Sequence, residues 1–205
     1  AKEYLELLDP LYLRYYYAAK LSGSIDDIDY NLDDFVFRVN ADIVNKFVNI
    51  GSRLGSILKK SLDLRISIPD DKGQAIIDSA LAQADTIAQY YEDLETHKAM
   101  RDIMAIADDA NKYINDAAPW DVVKTDADAA RAICATGLNV LKILSIYLQP
   151  VLPDLCQQVW SFLNVETQTW SDLSHSMANH QVNVYEHLAK RVDIERVQSL
   201  ISVPV

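Results

Sequence analysis

Asn49 and Arg53 are four residues apart inside a helical pattern, so their side chains stand one above the other on a helix face. The asparagine amide offers a donor and an acceptor, and the guanidinium offers a rigid fork of donors. Side by side, they carry the groups needed to read one edge of a nucleic-acid base. Spacing alone fits an ordinary solvated stripe just as simply. Trp120 raises a similar choice. It follows Pro119 directly, where "YINDAAPWDVV" leaves a helical run. It could be a partly buried cap on that helix or a ring held at the surface for stacking.

Other chemistry finds little support. A carboxylate-bridged metal site in a helix bundle needs Glu-x-x-His pairs on facing helices, and the sequence contains none. Asp172 and His175 have the corresponding spacing once, in a serine-rich loop, and read as surface residues. His97, His175, His180 and His187 are scattered, and no serine or cysteine sits in a G-x-S-x-G setting. The acidic run Asp26, Asp27, Asp29 reads as a solvated face rather than a catalytic pair. No glycine loop could cradle a phosphate. The residues therefore offer neither a catalytic set nor a metal-ligand set, and binding is what remains.

Composition bounds the answer further. The chain has 205 residues, half of them hydrophobic, with only 5 glycines and 6 prolines, which points to helices around one large core. A net charge of −11 argues against a general nucleic-acid coat, which needs a broad basic face, and leaves room for a site that reads a few bases. Cys134 and Cys156 lie in apolar helical stretches and read as reduced core residues of a cytosolic protein. The apolar run Leu138 to Leu148 is broken by Asn139 and Lys142, so no span of a membrane is expected.

The elements that must position Asn49, Arg53 and Trp120 are helical. Asp9 and Pro10 open the first, with Leu13, Tyr17 and Leu21 as its apolar repeat. The run Tyr15, Tyr16, Tyr17 cannot all face one way, so one of these rings is expected at a surface. Asn31 caps a long second helix, about 32–60, with Asp33 and Asp34 in its first turn. Phe35, Val39, Ile43, Phe47, Ile50, Leu54, Ile57 and Leu58 form its buried stripe. Gly51 and Gly55 inside it each cost about 1 kcal/mol relative to alanine, which suggests a close neighbour. Further helices are expected over about 74–93, 95–116, 126–149 and from Pro153 to Leu163. The helix over 126–149 is apolar around most of its circumference and should be central. A last helical piece is expected near 193–201. The fold class is all-α, an antiparallel helix bundle with extensions at both ends.

Three stretches carry a resemblance. "LDPLYLRYYYAAKLSGSIDDIDYNLDDFVFRVNADIVNKFVNIGSR", "MAIADDANKYINDAAPW" and "YLQPVLP" occur in the order found in bacterial methionyl-tRNA synthetases. The chain closely resembles the region of that family after its catalytic signature loop. The resemblance implies a bundle of the class I anticodon-binding type over residues 31–164. It implies a preceding stem-contact and linker segment, 1–30, and a C-terminal tail, 165–205, that folds back toward the catalytic domain. It also implies the partners: the anticodon loop of methionine tRNA and the catalytic domain of the same chain, with no membrane and no DNA. The location implied is cytoplasmic. The family's His-Ile-Gly-His-type and Lys-Met-Ser-Lys-Ser motifs are not in the sequence. The fragment is therefore expected to hold no cofactor and to be inactive alone, with ATP, magnesium and often zinc used by the missing catalytic part.

By the same resemblance, Asn49 and Arg53 match an N-x-x-S-R helix that contacts the first anticodon base, a cytosine. Trp120 matches the tryptophan of an A-P-W motif that stacks on it, and Pro119 fixes the turn presenting it. Asn111 and the pair Asn115–Asp116 fall where neighbouring bases would be met. The family usually carries acidic residues at the last two positions, and here the first of them is Asn115. The rival reading is an acidic helical protein-interaction bundle with no role in RNA binding. It expects a buried Trp120 and an Asn49 and Arg53 that point elsewhere.

Overall fold

The structure is a computed structural model that describes residues 2–24 and 30–198. The acidic run Asp26, Asp27, Asp29 and the end of the last expected helical piece, beyond residue 198, lie outside the described residues.

The architecture is the expected all-α bundle. Helix α1, Lys2–Leu7, precedes α2, Pro10–Ala18, where the Asp9 carboxylate accepts from the Leu11 amide and Pro10 takes the first turn. The buried face of α2 differs from the expected repeat. Tyr12, Tyr15 and Tyr16 are buried, whereas Tyr17 is 37% and Leu21 46% exposed. Hydroxyl partners make this possible: Tyr12 donates to the Lys190 carbonyl at 2.8 Å, and Tyr15 to Asp42 at 2.9 Å. A buried tyrosine whose hydroxyl is satisfied contributes its full ring to the core.

The long second helix is continuous but changes pitch. It runs as α3, Leu32–Arg38, then a π-helical segment, Val39–Phe47, then α4, Val48–Ser61. Asn31 caps it as expected, accepting from the Asp34 amide. The sequence explains the change of pitch. Phe35, Val39, Ile43 and Phe47 recur every four residues, wider than the roughly 3.6 of an α-helix. Strict α-winding would rotate that stripe off the core, while the wider i→i+5 turn holds all four inward, and all four are fully buried.

The expected single helix over 74–93 is two: α5, Asp71–Leu81, and α6, Ala84–Glu92. α5 starts earlier because the Asp70 side chain caps Gly73. The chain breaks at Ala82–Gln83 because the halves pack on different neighbours, α5 on the central helix and α6 on α7, Thr96–Ala117. The central helix is α9, Ala127–Leu148, capped by Asp126 and in contact with α4, α5, α7 and α10, Pro153–Leu163. By length and composition α9 could cross a membrane, but 83% of its apolar window is buried in the bundle, which makes it the core helix. The polar groups in it are satisfied. Asn139 bonds the Ala135 and Met177 backbones, and Lys142 Nζ donates to the carbonyls of Asp172 and His175 at 2.6 and 2.7 Å.

After Asn164 the chain runs back along the bundle. A 3₁₀ turn, Trp170–Asp172, and α11, Ile194–Val197, are its helical pieces, and Arg65 and Gln181 form an isolated antiparallel bridge. Two side chains grip the extended backbone near its end. The Tyr12 hydroxyl takes both the amide and the carbonyl of Lys190, and the Asn40 amide does the same for Val192. The tail also explains the glycines of α4. A Cβ on Gly55 would meet Tyr185 Cβ at 2.6 Å, and one on Gly51 would meet the Tyr185 ring at 3.0 Å. The helix-propensity cost of both glycines is the cost of that close approach.

Candidate nucleic-acid interface

α4 and α7 run side by side and each offers a pair of polar residues one turn apart, Asn49 with Arg53 and Asn111 with Asn115. The two pairs meet rung to rung. Asn49 Nδ2 donates to Asn111 Oδ1 at 3.1 Å, and Arg53 Nη2 donates to Asn115 Oδ1 at 2.7 Å. Asn111 is fully committed, since its own Nδ2 donates to the carbonyls of Lys46 and Ala107 at 3.0 and 2.8 Å. It therefore holds Asn49 in place and leaves the Asn49 Oδ1 acceptor and one N–H for something outside. Arg53 keeps most of its donor fork in the same way.

The third member comes from the end of α7. Ala118 adopts a left-handed conformation, φ 43°, which stops the helix, and Pro119 opens the short helix α8, Pro119–Val122. Pro119 is buried, and the turn throws Trp120 outward, leaving it 36% exposed. Its ring lies under Arg53, with the guanidinium carbon 4.7 Å from the ring centroid. This cation–π contact holds the guanidinium over one face of the indole. Partial burial lowers the Arg53 pKa, yet a guanidinium stays charged at any pH a protein meets.

The structure thus brings Asn49, Arg53, Asn111, Asn115 and Trp120 into one cluster, with Pro119 beneath it. Asp116 is not part of it. It pairs with Lys112 one turn back and lines a separate cavity of about 270 Å³ with Lys72 and Tyr113. One step along a helix rotates a side chain by about 100°, so neighbours in sequence face different sides. The departure at Asn115 acquires a physical content: a neutral amide there holds Arg53 without cancelling its charge. The sequence reading missed the Arg53–Trp120 stack and the rungs between helices. The signal available was the matching i, i+4 spacing of 49/53 and 111/115.

Beside Trp120 a groove of about 450 Å³ is lined by Arg53, Ser56, Ile57, Lys60, Ser61 and Val123. No cluster of three His, Cys, Asp or Glu side chains that could hold a metal occurs among the described residues. Burial pushes the Cys134 thiol up to about 12 and Cys156 higher still, so both remain protonated and inert.

Comparison with known proteins identifies the family. Residues 67–199 match the family described as the anticodon binding domain of methionyl tRNA ligase, and residues 1–55 match the class I tRNA synthetases (M) family. A curated relative, the methionine–tRNA ligase of Bdellovibrio bacteriovorus, is 44% identical over 98% of this chain, which spans 29% of that relative's length. Among solved structures, the apo methionyl-tRNA synthetase of Mycobacterium tuberculosis aligns with a TM-score of 0.85 at 21% identity, over 93% of this chain and 40% of that one. The methionyl-adenylate complex of the M. tuberculosis enzyme aligns with a TM-score of 0.82 at the same 21% identity, over 90% of this chain and 38% of that one. At that identity the structures establish a shared fold, and the family match over most of the chain establishes descent. The chain belongs to the methionyl-tRNA synthetase family, as its anticodon-binding domain with the preceding segment.

Proposed function

We propose that this chain reads the CAU anticodon of methionine tRNA for a complete methionine–tRNA ligase. The observation that supports the reading is the Asn49–Arg53–Trp120 cluster, in which Asn111 and Asn115 hold the amide and the guanidinium while hydrogen-bonding groups on both remain unused and the indole is 36% exposed. Single-stranded RNA is read by splaying bases out, stacking them on aromatic rings and bonding their edges. Trp120 supplies the ring. Asn49 Oδ1 accepts from the amino group of a cytosine, and Arg53 donates to its ring nitrogen and carbonyl. A uracil reverses the donor and acceptor at two of these positions, so it leaves Asn49 Oδ1 facing an oxygen. Asn111 and Asn115 act as positioning residues for Asn49 and Arg53. Asp116 faces away from the cluster and would act only on a neighbouring nucleotide.

Joining methionine to that tRNA with ATP, and any use of magnesium or zinc, is assigned to the catalytic part of the complete ligase in the cytoplasm. Residues 1–30 would link that part to the bundle, and the tail 165–205 would return toward it. The test is Trp120→Ala in the complete ligase. We expect kcat/KM for tRNA to fall by a factor of about 10 to 100, the equivalent of 1–3 kcal/mol of lost stacking, with ATP–pyrophosphate exchange unchanged. An unchanged kcat/KM would reject the role given to this cluster.

A further inference from the structure

The protein is acidic, and most of its described cations are engaged. Lys20 pairs with Asp34, Lys46 with Asp42 and Asp108, Lys112 with Asp116, and Lys124 with Asp121. Arg101 and Arg131 have carboxylate partners too, and Lys142 is sealed against carbonyls. Of the cations whose side chains are described, the charged groups of Lys59, Lys60, Arg65, Lys72 and Lys190 make no hydrogen bond or ion pair, and all five residues are exposed. Lys60 alone among them lines the groove beside Trp120.

Its position on α4 is fixed by helical spacing. Lys60 lies seven residues beyond Arg53, two turns along the same face, with Ser56 and Ile57 between them. The hydroxyls of Ser56 and Ser61 line the same groove and make no hydrogen bond within the chain. Lys60, Ser56 and Ser61, whose ammonium and hydroxyls have no partner in the chain, therefore line one groove together with Trp120, with Ile57 and Val123 as apolar lining. An ammonium is a mobile point charge suited to a phosphate, where a base edge would want a fixed fork. Hydroxyls are common phosphate donors beside it.

We propose that Lys60, with Ser56 and Ser61, binds a backbone phosphate of the RNA strand whose base stacks on Trp120. This rests on the anticodon-reading function above and adds the contact that sets the strand's course away from the ring. It is sequence-independent: it raises affinity for any loop that reaches Trp120 and leaves the choice of base to Asn49 and Arg53. The net negative charge of the protein keeps phosphates off most of its surface, which favours the groove that Lys60 lines.

The experiment compares the complete ligase with its Lys60→Gln, Lys60→Arg and Lys190→Gln forms. Each is titrated with RNA hairpins carrying CAU or UAU loops over a range of salt concentrations. Lys60→Gln should weaken binding of both hairpins by a similar factor, about threefold to tenfold, and lower the slope of log affinity on log salt by about 0.7. Lys60→Arg should restore both. Lys190→Gln, which removes an equally free lysine far along the tail, should change neither. An unaltered salt slope in Lys60→Gln would overturn the phosphate contact, as would a loss confined to the CAU hairpin. Trp120→Ala in the same assay separates the two claims: if it lowers CAU binding while Lys60→Gln does nothing, the base reading stands and the phosphate site falls.

Discussion

Arg53 and Lys142 are both cations without a carboxylate partner in a protein rich in carboxylates, and the molecule treats them in opposite ways. Arg53 sits at the exposed tip, fixed by one amide and one indole face, with donors left over. Lys142 is 3% exposed on the central helix, and burial lowers its pKa. Its ammonium ties two backbone carbonyls of the returning tail to α9. The first cation is held so that it can bind something else, and the second is used up in holding the fold. The difference is one of remaining hydrogen-bond capacity, not of charge.

This contrast can be broken by mutation. The largest effect is expected for Lys142→Ala, which removes the buried ammonium that ties the carbonyls of Asp172 and His175 to the central helix. Urea denaturation should show a loss of about 3 kcal/mol, while the preference of the surviving folded protein for CAU over UAU loops stays the same. A changed preference would mean that the core and the tip are coupled. Next comes Gly55→Ala, on the side of α4 that meets the tail. Alanine gains about 1 kcal/mol of helix propensity, but its Cβ would stand 2.6 Å from Tyr185 Cβ, a clash between a helix and a packed ring. A net destabilisation of about 1–2 kcal/mol is expected in the same denaturation assay. Stabilisation would show that the tail yields easily. The smallest effect is expected for Asn115→Ala, which frees Arg53 from its rung. Stability should change little, and affinity for a CAU hairpin should fall by about 1 kcal/mol, with discrimination against UAU reduced in parallel. Equal weakening of both hairpins would show that Asn115 does not aim Arg53.

Much of the fold was legible because capping chemistry and apolar spacing are local. Asp9, Asn31, Asp70 and Asp126 each cap the helix that follows, and three of those helices start where the sequence reading put them. The misreadings arose where tertiary contact overrides spacing. The face of α2 is chosen by hydroxyl partners on Lys190 and Asp42, which are remote in sequence. The break at Ala82–Gln83 is set by the different neighbours that the two halves reach.

The sequence by itself determined that the chain is helical and acidic, and that a helix would present Asn49 and Arg53 on one face. Those are consequences of composition and of the helical repeat, and both are properties of a single segment. Only the tertiary structure decided that Asn111 and Asn115 stand behind that pair, that Trp120 lies under Arg53, and that Asp116 turns to another side. These depend on how α7 packs against α4, which brings Asn49 to Asn111 and Arg53 to Asn115, 62 residues apart in each case. A helix carries its own spacing in its sequence, but its rotation against a neighbour is set by the side chains of both.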